Sequence, residues 1–423
     1  MSQTVDLIVR NVRPHGESVA RDLVILNGKF IAATFGQIAT QTIDGEGGLA
    51  IAGFVEPHIH LDKALIVDSV RANVSGTLTE AIEIIWERKR AYEIAEIAER
   101  AEGVIKAAVA NGILHIRTHV DVDTIGGLRP LQGVVLARER TRHIADIEIV
   151  AFPQEGILRD VGSERLMWAA MEAGADVVGG MPFNEASPSD SARHIAIVFE
   201  IAKKFDAPID MHVDETDDPA ARTLEMLADK TISSDWQGRV TAGHTCALAA
   251  YPLDYANAVM AKVARAGMHM ITNPATNLML QGRLDQQPKR RGITRVQELI
   301  ALGINVSYGQ DCVGDTFYPF GRNDPLEVAL ITAHAAHMSV PEKIEQVFAM
   351  QTANAAKLLA LIGYGLQPGD RANVVVIPAK NAADAIRYQP PRRWVVRDGR
   401  VLAQSKLERI TNFVVPPRTE CVR

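Results

Sequence analysis

Eight short apolar runs, each followed by a stretch of helical periodicity, confine this 423-residue chain to a few α/β architectures. They fall at residues 53–60, 113–119, 147–153, 176–180, 208–213, 239–244, 269–273 and 304–309. Runs of this length bounded by turns read as strands buried on both faces of a parallel sheet. Between them, residues 81–109 read as helix, with Ile82, Ile85, Trp86, Tyr92, Ile94 and Ile97 spaced among charged residues, and residues 195–205 repeat the amphipathic pattern. Eight β/α units predict a (β/α)8 barrel over residues 53–366. A doubly wound open sheet is the rival reading. It lacks its signal here, because no strand is followed by Gly-x-Gly-x-x-Gly.

The two ends of the chain look alike. Residues 6–12 read as a strand, and residues 23–32 as two strands joined at Asn27-Gly28, where both residues tolerate positive φ. Residues 372–378 form another strand pattern, and residues 394–402 repeat the hairpin with Asp398-Gly399 at its turn. Short β segments at both ends predict one small β-sandwich domain assembled from residues 1–52 and 367–423.

Composition excludes more than it identifies. A net charge of −6 with no basic tail argues against nucleic-acid binding, and Lys289-Arg290-Arg291, the densest basic run, reads as a solvated loop. The cysteines Cys246, Cys312 and Cys421 form no disulfide framework, which suits a reducing compartment. The opening residues carry no basic and apolar leader, and no apolar stretch is long enough to span a bilayer. A cytoplasmic protein without membrane or nucleic-acid partners is expected.

Active sites of such barrels lie at the C-terminal ends of the strands, so the polar residues there can be read as a set. His58 and His60 end the first strand, two residues apart and therefore on one face, where both can reach one metal ion. Gln154 and Glu155 follow the third strand, His212 and Glu215 the fifth, His244 the sixth and Asp311 the eighth. A lone strand-end histidine is usually a packed residue. Four of them, with Glu and Asp on the same rim, point to a metal site.

This set, with the stretches Gln154-Glu155-Gly156, His212-Val213-Asp214-Glu215, Gly243-His244-Thr245 and residues 280–296, resembles the amidohydrolase superfamily and within it bacterial cytosine deaminase. The resemblance implies that His58, His60, His212 and Asp311 hold one divalent metal, Fe2+ or Zn2+, whose water is brought towards a pKa of ~7. It implies a single ion, because the fourth strand ends Val178-Gly179-Gly180-Met181 without the bridging lysine of binuclear members. Hydrolytic deamination of a free aminopyrimidine base is the implied activity, yielding uracil or thymine and ammonia. Asp311 would accept the proton of the bound water, Glu215 would carry it to ring N3 and the leaving amine, and His244 would hold and polarise the hydroxide. Gln154 offers a donor and an acceptor to the carbonyl oxygen and adjacent N–H of the base. A symmetric homo-oligomer is also implied.

The sequence departs from the cytosine deaminase pattern at two places. Cys312 stands where a second Asp follows the ligand Asp, and Phe317 stands where a Trp is usual. Cys is a small hydrophobe, so the pocket at the C5 edge should be roomier and less polar, which favours 5-methylcytosine. Another amino-heterocycle, such as isoguanine, a triazine or creatinine, is the alternative substrate. His115 and His119 on the second strand read as packed, and His15, His143, His194, His269, His334 and His337 as outside the site. Cys246 is expected to be a core thiol and Asp214 to serve the loop backbone.

Overall fold

The computed structural model describes residues 4–411. The opening residues read above begin before that range, and Cys421 lies outside it. All eight apolar runs form strands. They are β1 (Phe54–Ile59), β2 (Ile113–Asp121), β3 (Asp146–Phe152), β4 (Val177–Gly180), β5 (Ile209–Val213), β6 (Val240–His244), β7 (His269–Thr272) and β8 (Asn305–Tyr308). Each pairs in parallel with the next, in chain order. The strands are almost wholly buried, and their Val, Ile and Met side chains merge with the apolar faces of the surrounding helices in one core.

Closure between β1 and β8 is made by few bonds. Ile59 and Asp311 form a single parallel bridge, in which the Asp311 N–H donates to His58 O at 2.8 Å and the His60 N–H to Asp311 O at 2.9 Å. Beneath it, the buried Glu56 carboxylate spans the seam. Its Oε1 accepts from the His58 and Gln310 backbone N–H groups at 3.0 and 3.1 Å, and its Oε2 from Gln351 Nε2 at 2.6 Å. Burial pushes Glu56 up to about 8, against the pull of these donors.

Both termini build one mixed sheet beside the barrel. The long strand Thr4–Pro14 pairs antiparallel with Arg21–Leu26 and parallel with Leu49–Ile51, which in turn lies antiparallel to Val374–Ile377. Trp394–Arg397 and Arg400–Gln404 complete it as a hairpin. A strand at Ile38–Asp44 also pairs with Thr4–Pro14; its side chains are mostly exposed, so the alternation that reveals a half-buried strand is missing. The helical run 81–109 is two helices, Leu78–Lys89 and Ile94–Ala110. The break is tertiary in origin. Lys89 sends its ammonium into the carboxylates of Asp121 and Asp123 at 2.8 and 2.5 Å, and Tyr92, in the turn, packs under the Arg88 and Arg100 guanidinium groups. Among the described residues no helix is long and apolar enough to cross a membrane.

The seam leaves no room for a larger residue at Gly309. A Cβ there would lie 2.7 Å from His58 Cβ and His58 O and 2.8 Å from Asn273 Oδ1. Gly309→Ala is expected to cost about 1–3 kcal/mol by forcing backbone shifts at the closure. An unchanged melting temperature would show that the seam tolerates the methyl group.

Candidate active site

The barrel brings His58, His60, His212 and Asp311 together at its C-terminal rim, with one ligand-type atom from each inside a span of 4.8 Å. His58 comes from β1, His60 from just past it, His212 from β5, and Asp311 from the closing bridge after β8. His60 Nε2 and His212 Nε2 face each other at 3.1 Å, and Asp311 Oδ1 lies 3.4 Å from His58 Nε2 and 3.5 Å from His60 Nε2. His58 Nδ1 and Nε2, His60 Nδ1 and His212 Nδ1 are buried without hydrogen-bond partners. So many orphaned ring nitrogens are unfavourable unless a cation sits among the converging lone pairs, and the donor set suits iron or zinc. Burial, then the Lys63 charge and neighbouring imidazoles at His60 and neighbouring imidazoles at His212, hold both well below the usual range, in the neutral form that ligates. Burial raises Asp311, but His244 and His58 pull it back below its ordinary value, so it stands as a carboxylate. On β4 a Cβ at Gly180 would meet His194 Nε2 at 2.9 Å and Met211 at 3.0 Å, leaving no room for a bridging side chain at that residue.

Glu215 and His244 adjoin this cluster. His244 Nδ1 lies 3.2 Å from Glu215 Oε1, and Asn277 and Asn273 face its two ring nitrogens at 3.0 and 3.1 Å. His244 and Asp311 hold left-handed backbone, at φ 65° and 62°, a strained conformation that persists when surrounding contacts fix it. Burial, followed by the Asp311 charge, raises Glu215 well above the usual carboxylate range. Asp214 accepts from the Thr223 and Leu224 backbone N–H groups at 3.0 Å, serving the loop.

These groups open into a small, tightly walled chamber lined by Leu78, Phe152, Met181, Thr276, Cys312 and Phe317. Gln154 lines it, and so does Lys63. The Lys63 ammonium is 1% exposed and donates to Asp121 Oδ1 at 2.5 Å and Gln154 Oε1 at 2.6 Å. An ammonium only donates, so it fixes which end of the Gln154 amide is oxygen and leaves the amide N–H groups for a ligand. Glu155 does not line the chamber; it faces Lys89 at 3.4 Å. Cys312 is a free, buried thiol beside Asp315, whose Oδ1 accepts from the Phe317 and Tyr318 backbone N–H groups at 2.9 and 3.0 Å and so presents Phe317 to the chamber.

The family model described as "Amidohydrolase family" matches residues 63–403. The chain belongs to the amidohydrolase family. Its structure superposes with a TM-score of 0.91 on 5-methylcytosine deaminase from Klebsiella pneumoniae liganded with 5-fluorocytosine, at 35% identity over 96% of this chain and 99% of that one. It is 28% identical to N-isopropylammelide isopropyl amidohydrolase of Pseudomonas sp. (strain ADP), over 96% of this chain and 99% of the relative. Pterin deaminase of Rhizobium rhizogenes is 29% identical over 86% of this chain and 82% of its own length.

This amidohydrolase therefore carries a buried His/Asp cluster suited to the family's metal dependence. Sequence reasoning missed Lys63 and Asn277. Lysine defaults to solvent in any reading by type; the only signal was its place three residues beyond His60, just past the end of β1. Asn277 lies on a short helix, Pro274–Leu280, with nothing local to mark it. His119 tilts against His58 at 4.1 Å and faces Asp210 at 3.4 Å, with Arg117 holding the other oxygen of Asp210 at 3.0 Å. His15 and His269 pair elsewhere, with Glu345 and Asn305, and Cys246 is a buried free thiol.

Removing the Lys63 ammonium leaves Asp121 buried with only Lys89 to balance it. Lys63→Met is expected to lower unfolding free energy by on the order of 3 kcal/mol, read by denaturant melts. A variant as stable as wild type would mean that Asp121 is neutralised without it.

Proposed function

We propose that this amidohydrolase removes ammonia by hydrolysis from a free aminopyrimidine base, cytosine or 5-methylcytosine. The observation that carries the reading is the chamber itself. It gathers the Gln154 amide, Cys312 and Phe317 around Glu215 and the His/Asp cluster. Likeness to a 5-methylcytosine deaminase over nearly the whole chain supports it.

In this reading His58, His60, His212 and Asp311 hold one divalent ion, Fe2+ or Zn2+, which supplies hydroxide at neutral pH. Asp311 would accept the proton that the attacking water gives up and pass it on to Glu215. Glu215 would carry one proton to ring N3, which makes the attacked carbon electrophilic, and a second, given up by the added oxygen as it becomes a carbonyl, to the amine that departs as ammonia. His244, fixed between Asn273 and Asn277, holds the attacking oxygen in line. Gln154 donates to the carbonyl oxygen of the base, its own oxygen engaged by Lys63. Phe152, Phe317 and Leu78 supply apolar wall for the ring.

One observation favours a second reading, an amino-triazine, or a bicyclic or alkylated amino-heterocycle. Leu78 and Glu215 also line a larger outer cleft, so a substituent on the ring or on the leaving amine has an exit from the chamber. A screen for ammonia or alkylamine release across such bases separates the two readings.

Glu215→Gln is expected to retain metal and lose turnover, since the amide cannot carry the proton, whereas His212→Ala should lose metal and activity together. Metal analysis beside activity checks both, and near-wild-type turnover of Glu215→Gln would remove the shuttle.

The C5 edge generates a sharper expectation. A methyl group against the Cys312 wall gains about 1 kcal/mol, while a carboxylate there would be buried against it. Wild type should use 5-methylcytosine at least as well as cytosine, and Cys312→Asp should shift the kcat/KM ratio towards cytosine. A ratio unmoved by the substitution would sink the C5 argument.

A further inference from the structure

Two chamber residues, Gln154 and Met181, belong to neighbouring loops after β3 and β4, and one carboxylate gathers both loops. Glu185 Oε1 accepts the backbone N–H groups of Ile157 and Leu158 at 2.6 and 3.0 Å, and Oε2 accepts that of Arg159 at 2.9 Å. His194, from the helix Pro188–Phe205, meets Glu185 Oε1 through Nδ1 at 2.7 Å. Its Nε2 accepts the Met181 backbone N–H at 3.1 Å. A ring nitrogen that accepts an N–H carries no proton, so the imidazole proton sits on Nδ1 and points at the carboxylate. Both side chains are closed to solvent. Next to Glu185, Asn184 Nδ2 donates to the Gln154 carbonyl at 2.8 Å.

Two glycines make space for this arrangement. Gly156, at φ 89°, would put a Cβ 3.0 Å from Glu185 Oε1, and Gly180 would put one 2.9 Å from His194 Nε2. Gln154 is therefore tethered twice, by Lys63 at its amide and by Asn184 at its backbone, and the Met181 main chain is tethered by His194. A carboxylate that merely satisfied loop N–H groups would need none of the links to these two residues. The pattern is that of supporting groups which lock the geometry of those that touch a ligand.

We propose that Glu185 and His194, with Asn184, are positioning residues that set the recognition wall of the chamber, governing how tightly and selectively a ring is held rather than the chemical step. This rests on the reading of the chamber as the site for a heterocyclic base.

The test uses the metal-loaded enzyme and the amino-heterocycle that wild type turns over. Glu185→Gln keeps the size but puts an NH2 against N–H donors. It is expected to raise KM about tenfold or more with kcat changed by less than about threefold, because the wall meets ground and transition states alike. Asn184→Ala, which cuts the link to Gln154 and an exposed hydrogen bond from Arg159 on a half-buried residue, should raise KM in the same sense and keeps the test valid where Glu185→Gln does not fold; Arg159→Ala, which removes the latter bond's donor and spares the link to Gln154, should leave KM unchanged. Metal content should stay at the wild-type level in Glu185→Gln and Asn184→Ala. KM unchanged in Asn184→Ala, or a fall in kcat alone, would overturn the assignment and leave the clamp a stability device. Wild-type turnover measured in parallel reports on the base reading separately: activity on a different heterocycle corrects that reading and leaves the clamp standing, while no turnover of any heterocycle overturns both.

Discussion

The parallel bridge between β1 and β8 is where the architecture and the chemistry meet. Its donors and acceptors are the backbone groups of His58, His60 and Asp311, which also carry three of the four ligand-type side chains. A (β/α)8 sheet has to close on itself, and here it closes through so few bonds that the Glu56 carboxylate is enlisted to tie the seam from below. Holding the rim and closing the barrel are thus one task. Anything that opens the seam moves the histidines, and a cation bound among them would strengthen the closure by mass action.

Beside the seam the protein tolerates an expensive feature. Lys63 and Lys89 are buried among Asp62, Asp121, Asp123 and Glu155, and the two ammonium groups share Asp121. Burial drives Asp62 up to about 6, while Lys63 and Lys89 keep Asp121 below its ordinary value although burial opposes them. Buried ion networks contribute little net stability, but each member fixes the others in place. The one that reaches the chamber is Lys63, and the one that reaches the helix Leu78–Lys89 is Lys89, so the network joins the Gln154 edge to the helix whose first residue, Leu78, walls the chamber.

How much of this was legible in the sequence depended on whether a residue's signal was local. The eight barrel strands announced themselves because strands buried on both faces are continuous apolar runs, and their ends located His58, His60, His212, His244 and Asp311 without reference to contacts. Ile38–Asp44 escaped because its faces are mostly wet, and the break after Lys89 escaped because its cause lies in Asp121 and Asp123, far along the chain. Lys63 and His194 were invisible for the same reason. A lysine or histidine is assigned to surface or core by default, and only the fold supplies Gln154 and Asp121 to the one and Glu185 to the other.

The mixed sheet drawn from both termini has a consequence for biosynthesis. Leu49–Ile51 leaves the ribosome well before its antiparallel neighbour Val374–Ile377, because the entire barrel is made in between. At ordinary elongation rates of ~5–20 residues per second that edge waits on the order of tens of seconds without its mate. During that interval an apolar strand with free N–H and C=O groups is open to wrong pairing. The nascent chain thus carries an aggregation-prone edge at Leu49–Ile51, in a sheet separate from the strands that assemble its chemistry.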